Sequence, residues 1–287
     1  MKLDAIVRGA RERGPVLMTV ACAAATIFIL SLGPGTLTSH AIARPAARTV
    51  AAAAPAPRIQ VIGQRGGSDW GAADTVGAIG KAAAAGVDGV EFDVRMSSDD
   101  RPVVFADEYL GKATDCRGAV AHLTAAALTR CRLRSGGTVP TLDAVLARIA
   151  PTPTHVYLNV ASSTTLAQAH RIMDVVTVHG MADPWRLTVL SSDAQVLAQM
   201  RVTGARDLGL VFADAAGWKA PYRVLVVSAA KLDPAAVTDA QRRGHFVIVV
   251  EDHPTTLAQV ARLHPNAFLA DKVRAALRAL AAAAAHP

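Results

Sequence analysis

The chain has 287 residues, of which 52% are apolar, 18% are charged and 4% are aromatic. This composition provides a full hydrophobic core, and it excludes a disordered chain, a collagen and a small disulfide-held scaffold. The net charge is +7, but six cations and only two acids precede residue 58, so the remaining body is nearly balanced. Because that body has no basic run and few aromatic side chains, we expect no nucleic-acid partner.

The first 43 residues have the pattern of an export segment. Lys2, Arg8, Arg11 and Arg13 precede an uncharged stretch, residues 15–32. This order of charge and apolarity is typical of a signal peptide, and a small-residue cleavage site follows at residues 41–43. The alternative is that residues 16–32 are retained as a membrane anchor. Either way the sequence predicts a secreted or cell-envelope protein whose membrane contact is made only through this segment.

A linker and the start of the folded body follow. Residues 44–57 are rich in proline and alanine, which predicts a solvated, semi-extended linker, and residues 58–287 are predicted to form one folded domain. The body contains two cysteines, Cys116 and Cys131. In an oxidising compartment such a pair predicts a disulfide, the alternative being two buried thiols. Their spacing does not match a zinc site.

In the body, short β-branched runs alternate with alanine- and leucine-rich stretches, which predicts a parallel sheet wrapped by helices. The predicted strands are residues 59–63, 89–94, 102–106, 154–160, 186–190, 207–212, 222–227, 246–250 and 267–270. The predicted helices are residues 74–85, 123–131, 142–149, 166–179, 194–202, 234–243, 255–263 and 273–284.

The predicted fold class is α/β, a single-domain (β/α)8 TIM barrel. A body of roughly 230 residues suits such a barrel, and no glycine-rich nucleotide loop follows the first strand. Nine strands exceed the eight that a barrel needs, so one of them is either accessory or misassigned.

In a TIM barrel the functional side chains lie at the C-terminal ends of the strands. Glu91 and Asp93 are two residues apart on the second strand, so they share a face and form a candidate site for a divalent cation. The alternative is a solvated acidic pair. Arg65, after the first strand, either binds an anion or pairs with one of these carboxylates.

Five blocks in order along the body carry a family resemblance. They are residues 61–67 (VIGQRGG), 72–75 (AADT), 86–94 (GVDGVEFDV), 102–108 (PVVFADE) and 139–142 (VPTL). In order and spacing they resemble the glycerophosphodiester phosphodiesterases, and residues 249–252 and 269–272 are similar to that family's closing blocks. The resemblance implies a metal-dependent barrel hydrolase that releases glycerol 3-phosphate and an alcohol. Two histidines serve as its acid and base, and carboxylates hold its metal.

This chain departs from the family pattern at the catalytic positions. Gln64 replaces the first histidine, Ala106 replaces the second, and Ala161 replaces a lysine; in the Glu-Asn-Thr block Ala73 replaces the acid. Glutamine cannot exchange a proton near neutral pH and alanine has no functional group, so the acid–base contribution of both positions is lost. The sequence therefore predicts a degenerate member in which catalysis is lost or strongly impaired.

The remaining family positions imply binding. Arg65 and Gln64 are the expected contacts of a phosphate, in a phosphorylated polyol or a glycerophosphodiester. Glu91, Asp93 and Asn159, which replaces a third carboxylate, would hold one divalent cation, Ca²⁺ or Mg²⁺, weakly or not at all. The predicted role is ligand binding or a structural function in the cell envelope. The alternative is a weakly active phosphoric diester hydrolase that uses a rearranged acidic site.

Three histidines of the body lie next to predicted strands, where a replacement for the lost base would have to be found. His155 and His245 precede strands, which assigns them to the opposite end of the barrel. His253 follows a strand and is the one candidate for a substitute base, the alternative being a solvated loop residue.

Overall fold

The computed structural model describes residues 58–251 and 260–285, with side chains to residue 282. The predicted export segment, the linker, His253 and most of the predicted helix at 255–263 lie outside the described residues. None of the described helices has the length and apolarity that a bilayer crossing needs.

The described residues form a closed barrel of parallel strands surrounded by helices, which confirms the predicted TIM barrel. The strands are β1 (Gln60–Gly63), β2 (Gly89–Met96), β3 (Pro102–Val104), β4 (His155–Val160), β5 (Leu187–Ser191), β6 (Leu208–Phe212), β7 (Val224–Ser228), β8 (Phe246–Val250) and β9 (Ala267–Ala270). The helices are α1 (Val76–Ala84), α2 (Ala125–Leu128), α3 (Leu142–Ile149), α4 (Leu166–Val178), α5 (Ala194–Val202), α6 (Pro234–Arg242) and α7 (Val273–Ala285).

Eight strands close the barrel in the order β1, β9, β8, β7, β6, β5, β4, β2, with β2 returning to β1. The accessory strand is β3, which runs antiparallel to β2 and pairs Val104 with Val94. It fits there because β1 pairs only with the first two residues of β2, at Gly89 and Val90. The far half of β2 is therefore left with a free edge, which β3 covers.

Alternation along the strands sorts their side chains into two layers. In β2, Val90, Phe92 and Val94 join the large core that packs against the helices. Val224 and Val226 of β7 belong instead to a second buried cluster, which fills the barrel interior. Glu91 and Asp93 alternate with the helix-facing residues, so β2 directs both carboxylates inward.

Polar caps set where the helices begin. The hydroxyl of Thr75 accepts from the N–H of Ala78 at the start of α1, and Thr165 forms a capping box with Gln168 at α4. The predicted helix at 74–85 therefore begins two residues early, because Asp74 has a left-handed backbone (φ 58°) and Thr75 is the cap.

A long excursion between β3 and α3 has its own small core, built around Phe105, Leu110 and Leu128. The predicted disulfide is confirmed: Cys116 and Cys131 are bonded, with a Cα–Cα distance of 5.5 Å. The predicted helix at 123–131 was too long, since α2 has only four residues. Past α2 the chain turns to bring Cys131 to its partner, and Arg132 donates its N–H to Asp115.

Candidate functional site

The candidate site lies at the C-terminal end of the barrel, where β1 and β2 deliver their polar residues. After Gly63 the chain makes a tight 3-10 turn through Gln64, Arg65 and Gly66. Arg65 and Gly66 both have positive φ, at 50° and 84°. A side chain at position 66 would come within 2.7 Å of the backbone nitrogen of Ile79 in α1, so the turn requires glycine there.

This turn brings Arg65 against the acidic face of β2. The Nε of Arg65 lies 2.9 Å from Oδ2 of Asp93, and its backbone N–H donates to Oε2 of Glu91 at 3.1 Å. Of the two alternatives for Arg65, the structure thus shows a pair with Asp93. The pair uses only Nε: among the described residues, no hydrogen bond engages the two terminal guanidinium nitrogens.

Asn159, on the neighbouring strand β4, holds the other side of the same carboxylate. Its Nδ2 donates to Oδ1 of Asp93 at 2.7 Å, and strand register places the two residues side by side. Both oxygens of Asp93 therefore already accept from a side-chain nitrogen.

Asp74 is a member of the cluster that the sequence did not single out. It is 4% exposed, and one of its oxygens is 4.0 Å from Nε of Arg65 while the other accepts weakly from the N–H of Asp93 at 3.4 Å. It occupies the middle position of the Glu-Asn-Thr block, which was the available signal in the sequence. The helical pattern of that stretch conceals its left-handed backbone and inward side chain.

The charges of this cluster are unbalanced. Burial, reinforced by the neighbouring carboxylates, raises the pKa of Asp74 and of Glu91 well above the ordinary values, and Arg65 only partly offsets this. Burial alone would lower the pKa of the Arg65 guanidinium. The negative charges nearby outweigh this effect and raise the pKa, and they belong to Asp93, Asp74 and Glu91. The site thus combines a permanent cation with acids that retain protons readily.

Arg95 is a second residue missed from sequence, although it lies two residues beyond Asp93 on the same face of β2. Its Nε donates to the carbonyl oxygen of Ala106 at 2.8 Å. The structure therefore places Ala106 at the same end of the barrel as Gln64, next to an arginine. Ala161 follows β4 at this end, where its N–H donates to the carbonyl of Val94 at 3.2 Å.

The two described histidines with assigned positions lie at the opposite end, as predicted. The Nε2 of His155 is 2.8 Å from the hydroxyl of Thr188, and its Nδ1 is 3.0 Å from the carbonyl oxygen of Trp185. The Nδ1 of His245 is 2.8 Å from the carbonyl oxygen of Tyr222. Neither histidine can reach the acidic cluster.

The divalent cation that the resemblance implies would need open oxygen ligands in the acidic cluster. Among the described residues, no three histidine, cysteine, aspartate or glutamate side chains are arranged to hold a metal ion. Asp93 has both oxygens engaged, and Asn159 turns its nitrogen, not its oxygen, toward the cluster. As arranged, Glu91, Asp93 and Asn159 do not fit a cation. The metal site stays a prediction that requires Arg65 and Asn159 to turn away.

Comparison with known proteins agrees with this architecture. Human glycerophosphodiester phosphodiesterase 1 is 38% identical over 80 residues, which is 28% of this chain and 24% of the human protein. The match thus spans about a quarter of the length of this curated relative.

Solved structures match over most of the chain. A phosphodiesterase of Oleispira antarctica, in complex with the product sn-glycerol-3-phosphate, has a TM-score of 0.68 at 20% identity, over 77% of this chain and 96% of that one. A glycerophosphodiester phosphodiesterase of Parabacteroides distasonis has a TM-score of 0.68 at 18% identity, over 79% and 99%. At such low sequence identity, these structural matches show that the fold is shared.

The family itself is shown by a match to a sequence model. Residues 65–250 match the model of the glycerophosphoryl diester phosphodiesterase family, and this range runs from the Arg65 turn to the last residue of β8. It contains the acidic face of β2, Asn159 and the whole excursion between β3 and α3. With well over half of its length matched, this chain belongs to the glycerophosphoryl diester phosphodiesterase family.

Proposed function

We propose that this protein is exported and binds a phosphorylated polyol or a glycerophosphodiester at the barrel mouth, with the family's hydrolysis lost or strongly impaired. The observation that carries the proposal is the engagement of Asp93 on both sides, by Arg65 at 2.9 Å and by Asn159 at 2.7 Å. These two donors hold the carboxylate as part of an internal network.

Arg65 is the proposed contact of the phosphate. Because its ion pair with Asp93 uses Nε, the two terminal nitrogens are available to a phosphate, and a guanidinium presents them in a geometry that suits two phosphate oxygens. The side chain is 44% exposed, so a ligand can reach it from solvent. A phosphodiesterase with the same fold, from Oleispira antarctica, binds sn-glycerol-3-phosphate, which supports a ligand of this class.

The loss of hydrolysis follows from the groups at the two histidine positions. Gln64 and Ala106 can neither accept a proton from an attacking group nor donate one to a departing alkoxide. Each positioned acid or base ordinarily contributes roughly 10²- to 10⁴-fold in rate. Both contributions are absent, while Arg65 and the barrel scaffold that positions it remain.

A second candidate function is a weak phosphoric diester hydrolase. It is favoured by the raised pKa of Asp74 and Glu91, because burial and like charge favour the protonated form of these carboxyl groups. A protonated carboxyl group of this kind can act as a general acid toward a departing alkoxide. The two candidates share the phosphate contact and differ in turnover.

Turnover separates the two functions. Release of glycerol 3-phosphate from several glycerophosphodiesters would be measured for the full chain with Ca²⁺, Mg²⁺ or EDTA, beside a Gln64→His/Ala106→His variant. The binding function predicts no release by the native chain. Activity in the native chain that is lost in Asp74→Asn would establish the hydrolase instead. Activity in the histidine variant alone would show that the scaffold still supports catalysis.

Binding is tested by calorimetric titration with glycerol 3-phosphate, a glycerophosphodiester and glycerol. Arg65→Met is expected to weaken the phosphorylated ligands by roughly ten- to a hundredfold, as loss of a charge-assisted contact does. Arg206→Met, an exposed arginine at the opposite end of the barrel, is the matched control. If neither phosphorylated ligand produces heat with the native chain, the binding function is wrong.

Export rests on the sequence of residues 1–43. Cell fractionation and N-terminal sequencing of the mature protein test it. A new N-terminus after residue 43 indicates a cleaved signal peptide, whereas an intact N-terminus in the membrane fraction indicates an anchor formed by residues 16–32. Recovery of the intact chain in the cytoplasm contradicts export.

A further inference from the structure

The end of the barrel opposite the candidate site exposes large apolar side chains. Val178 ends α4, Trp185 precedes β5 and Val202 ends α5, and these three side chains are 80%, 85% and 73% exposed. The helices run antiparallel to the strands, so helix C-termini and strand N-termini lie at the same end of the barrel. Since α4 and α5 pack on each other, the three residues belong to one sector of that end.

The exposure of Trp185 does not come from a loose loop. Its carbonyl oxygen lies 3.0 Å from Nδ1 of His155, its N–H donates to a carboxylate oxygen of Asp183 at 2.8 Å, and the carbonyl of Asp183 accepts from the N–H groups of Arg186 and Leu187. The backbone is thus held on both sides of the tryptophan. A fixed turn that projects an indole into solvent is a feature of surfaces that dock.

The same end of the barrel is basic. Four exposed arginines follow or close helices there and make no ion pair within the described residues: Arg148, Arg201, Arg206 and Arg262. Asp207, next to Arg206 in sequence, and Asp239 already pair with other arginines. Asp143, the acid nearest to Arg148 in sequence, lies 2.9 Å from Nε2 of His179. Asp183 has one carboxylate oxygen engaged by Trp185. The four arginines outnumber Asp143 and Asp183, the described acids here that pair with no arginine, so this end carries an excess of positive charge, with Arg201 directly beside Val202.

Chain topology adds a third observation. Arg58 and β1 begin at this end, so the 57 preceding residues join the barrel there, and their residues 15–32 carry no charge. Tryptophan concentrates at the membrane–water interface, and arginines near an anionic bilayer contribute favourable electrostatic energy. We propose that the sector formed by Val178, Trp185 and Val202 docks the barrel onto anionic phospholipid, which leaves the candidate site facing away from the membrane.

The test follows one tryptophan at a time in the full chain. Trp70→Phe/Trp218→Phe leaves Trp185 as the sole tryptophan, and Trp185→Phe/Trp218→Phe leaves Trp70, which follows β1 at the opposite end of the barrel. Each form is mixed with vesicles of phosphatidylglycerol and phosphatidylcholine, with or without brominated acyl chains. This readout reports which end of the barrel meets lipid, whether or not the N-terminal segment also inserts.

Docking predicts that Trp185 emission shifts to the blue and is quenched by brominated lipid, while Trp70 emission is unchanged. Vesicles of phosphatidylcholine alone should have little effect on Trp185. Arg201→Ala/Arg206→Ala should shift the equilibrium roughly thirtyfold toward the undocked barrel, since each arginine near an anionic surface contributes about a factor of five.

Three outcomes overturn the proposal. The first is Trp185 emission that brominated anionic vesicles leave unquenched, whether or not the protein sediments with them. The second is equal quenching of Trp70. The third is a blue shift of Trp185 that grows with protein concentration in the absence of lipid, which would assign the sector to a second copy of the chain. If the Trp70→Phe/Trp218→Phe form does not fold, the difference between the native chain and Trp185→Phe supplies the same signal.

Discussion

The amide nitrogen of Asn159 lies 2.7 Å from Oδ1 of Asp93, across the β2–β4 pair. A carboxylate at position 159 would be a ligand for a cation, whereas the amide of Asn159 donates a hydrogen bond. The carboxylate of Asp93 accepts it. Arg65 and Asn159 together engage both oxygens of Asp93, so this carboxylate is satisfied by hydrogen bonds within the protein.

Restoring a carboxylate at this position should restore a cation site. Asn159→Glu is expected to lower the melting temperature without metal, since two carboxylates then face each other. Saturating Ca²⁺ should raise it by roughly 5 °C, since ligand bound only by the folded state adds to its stability. Thermal melts with Ca²⁺ or EDTA check this. Asn159→Gln is the control, and an equal Ca²⁺ shift in the native chain would contradict the expectation.

Removal of Arg65 should destabilise the fold in a pH-dependent way. Its charge lowers the pKa of Asp74 and of Glu91, so Arg65→Met should raise both values further. The loss of unfolding free energy should be about 1–3 kcal/mol above neutral pH, less than for a fully buried pair because the guanidinium is 44% exposed. It should fade as the pH falls and the acids become protonated. Urea unfolding across this range measures it, and a pH-independent loss would contradict the account.

Glu251 provides a second pH dependence. It follows β8 and is 9% exposed, and neither carboxylate oxygen has a hydrogen-bond partner among the described residues. Burial, with a smaller effect of Asp271, raises its pKa from 4.5 to about 7. Because the folded state holds this proton more tightly, the stabilisation is complete below pH 4.5 and is lost as the pH rises toward 7.

The expected loss from Glu251 is up to about 3 kcal/mol over that interval. Glu251→Gln should flatten this part of the stability curve, as measured by urea unfolding at several pH values. Asp271→Asn should lower the pKa of Glu251 and move the transition to lower pH. A native chain whose stability does not change over the interval would show that Glu251 is paired in solution.

The disulfide should stabilise the excursion between β3 and α3. Cys116 and Cys131 are 15 residues apart, and closing a loop of this length restricts the unfolded chain by about 3 kcal/mol. Cys116→Ser/Cys131→Ser should unfold at correspondingly lower urea concentration. A reducing agent should produce the same shift in the native chain and none in the variant. If reduction leaves the native chain unchanged, the bond does not stabilise the fold.

Much of the fold could be predicted because each strand carries its own local pattern. The bounds of β8 and β9 and of α3 and α5 agree with those predicted from sequence. The identity of the accessory strand could not be predicted, because Val103 and Val104 have the same β-branched character as residues of the closed barrel. Their antiparallel direction follows from the five-residue connection after Met96, which is too short for a parallel crossover. The free edge that they cover follows from the early end of β1, which is a property of the whole sheet.

The candidate site was only partly predictable for a similar reason. Arg65, Glu91 and Asp93 could be identified from their strand ends and spacing. The contribution of Asp74 depends on a left-handed backbone at one residue, which a helical pattern conceals. The pairing of Arg65 with Asp93 instead of Glu91 depends on the sharp turn after Gly63, and a linear sequence leaves both partners open.

The β2–β3 hairpin also acts on the site through its length. In its turn the N–H of Ser97 donates to the carbonyl of Arg101, and the N–H of Arg101 donates to the hydroxyl of Ser97. A carboxylate oxygen of Asp99 accepts from the N–H of Ala125 and ties the turn to α2. One residue more or fewer in this turn would shift the register of β3 and reverse its alternation. Val103 and Phe105 would then leave their own small core. A change in loop length, with every side chain of the site kept, would be enough to break this small core and to move the carbonyl of Ala106 away from Arg95.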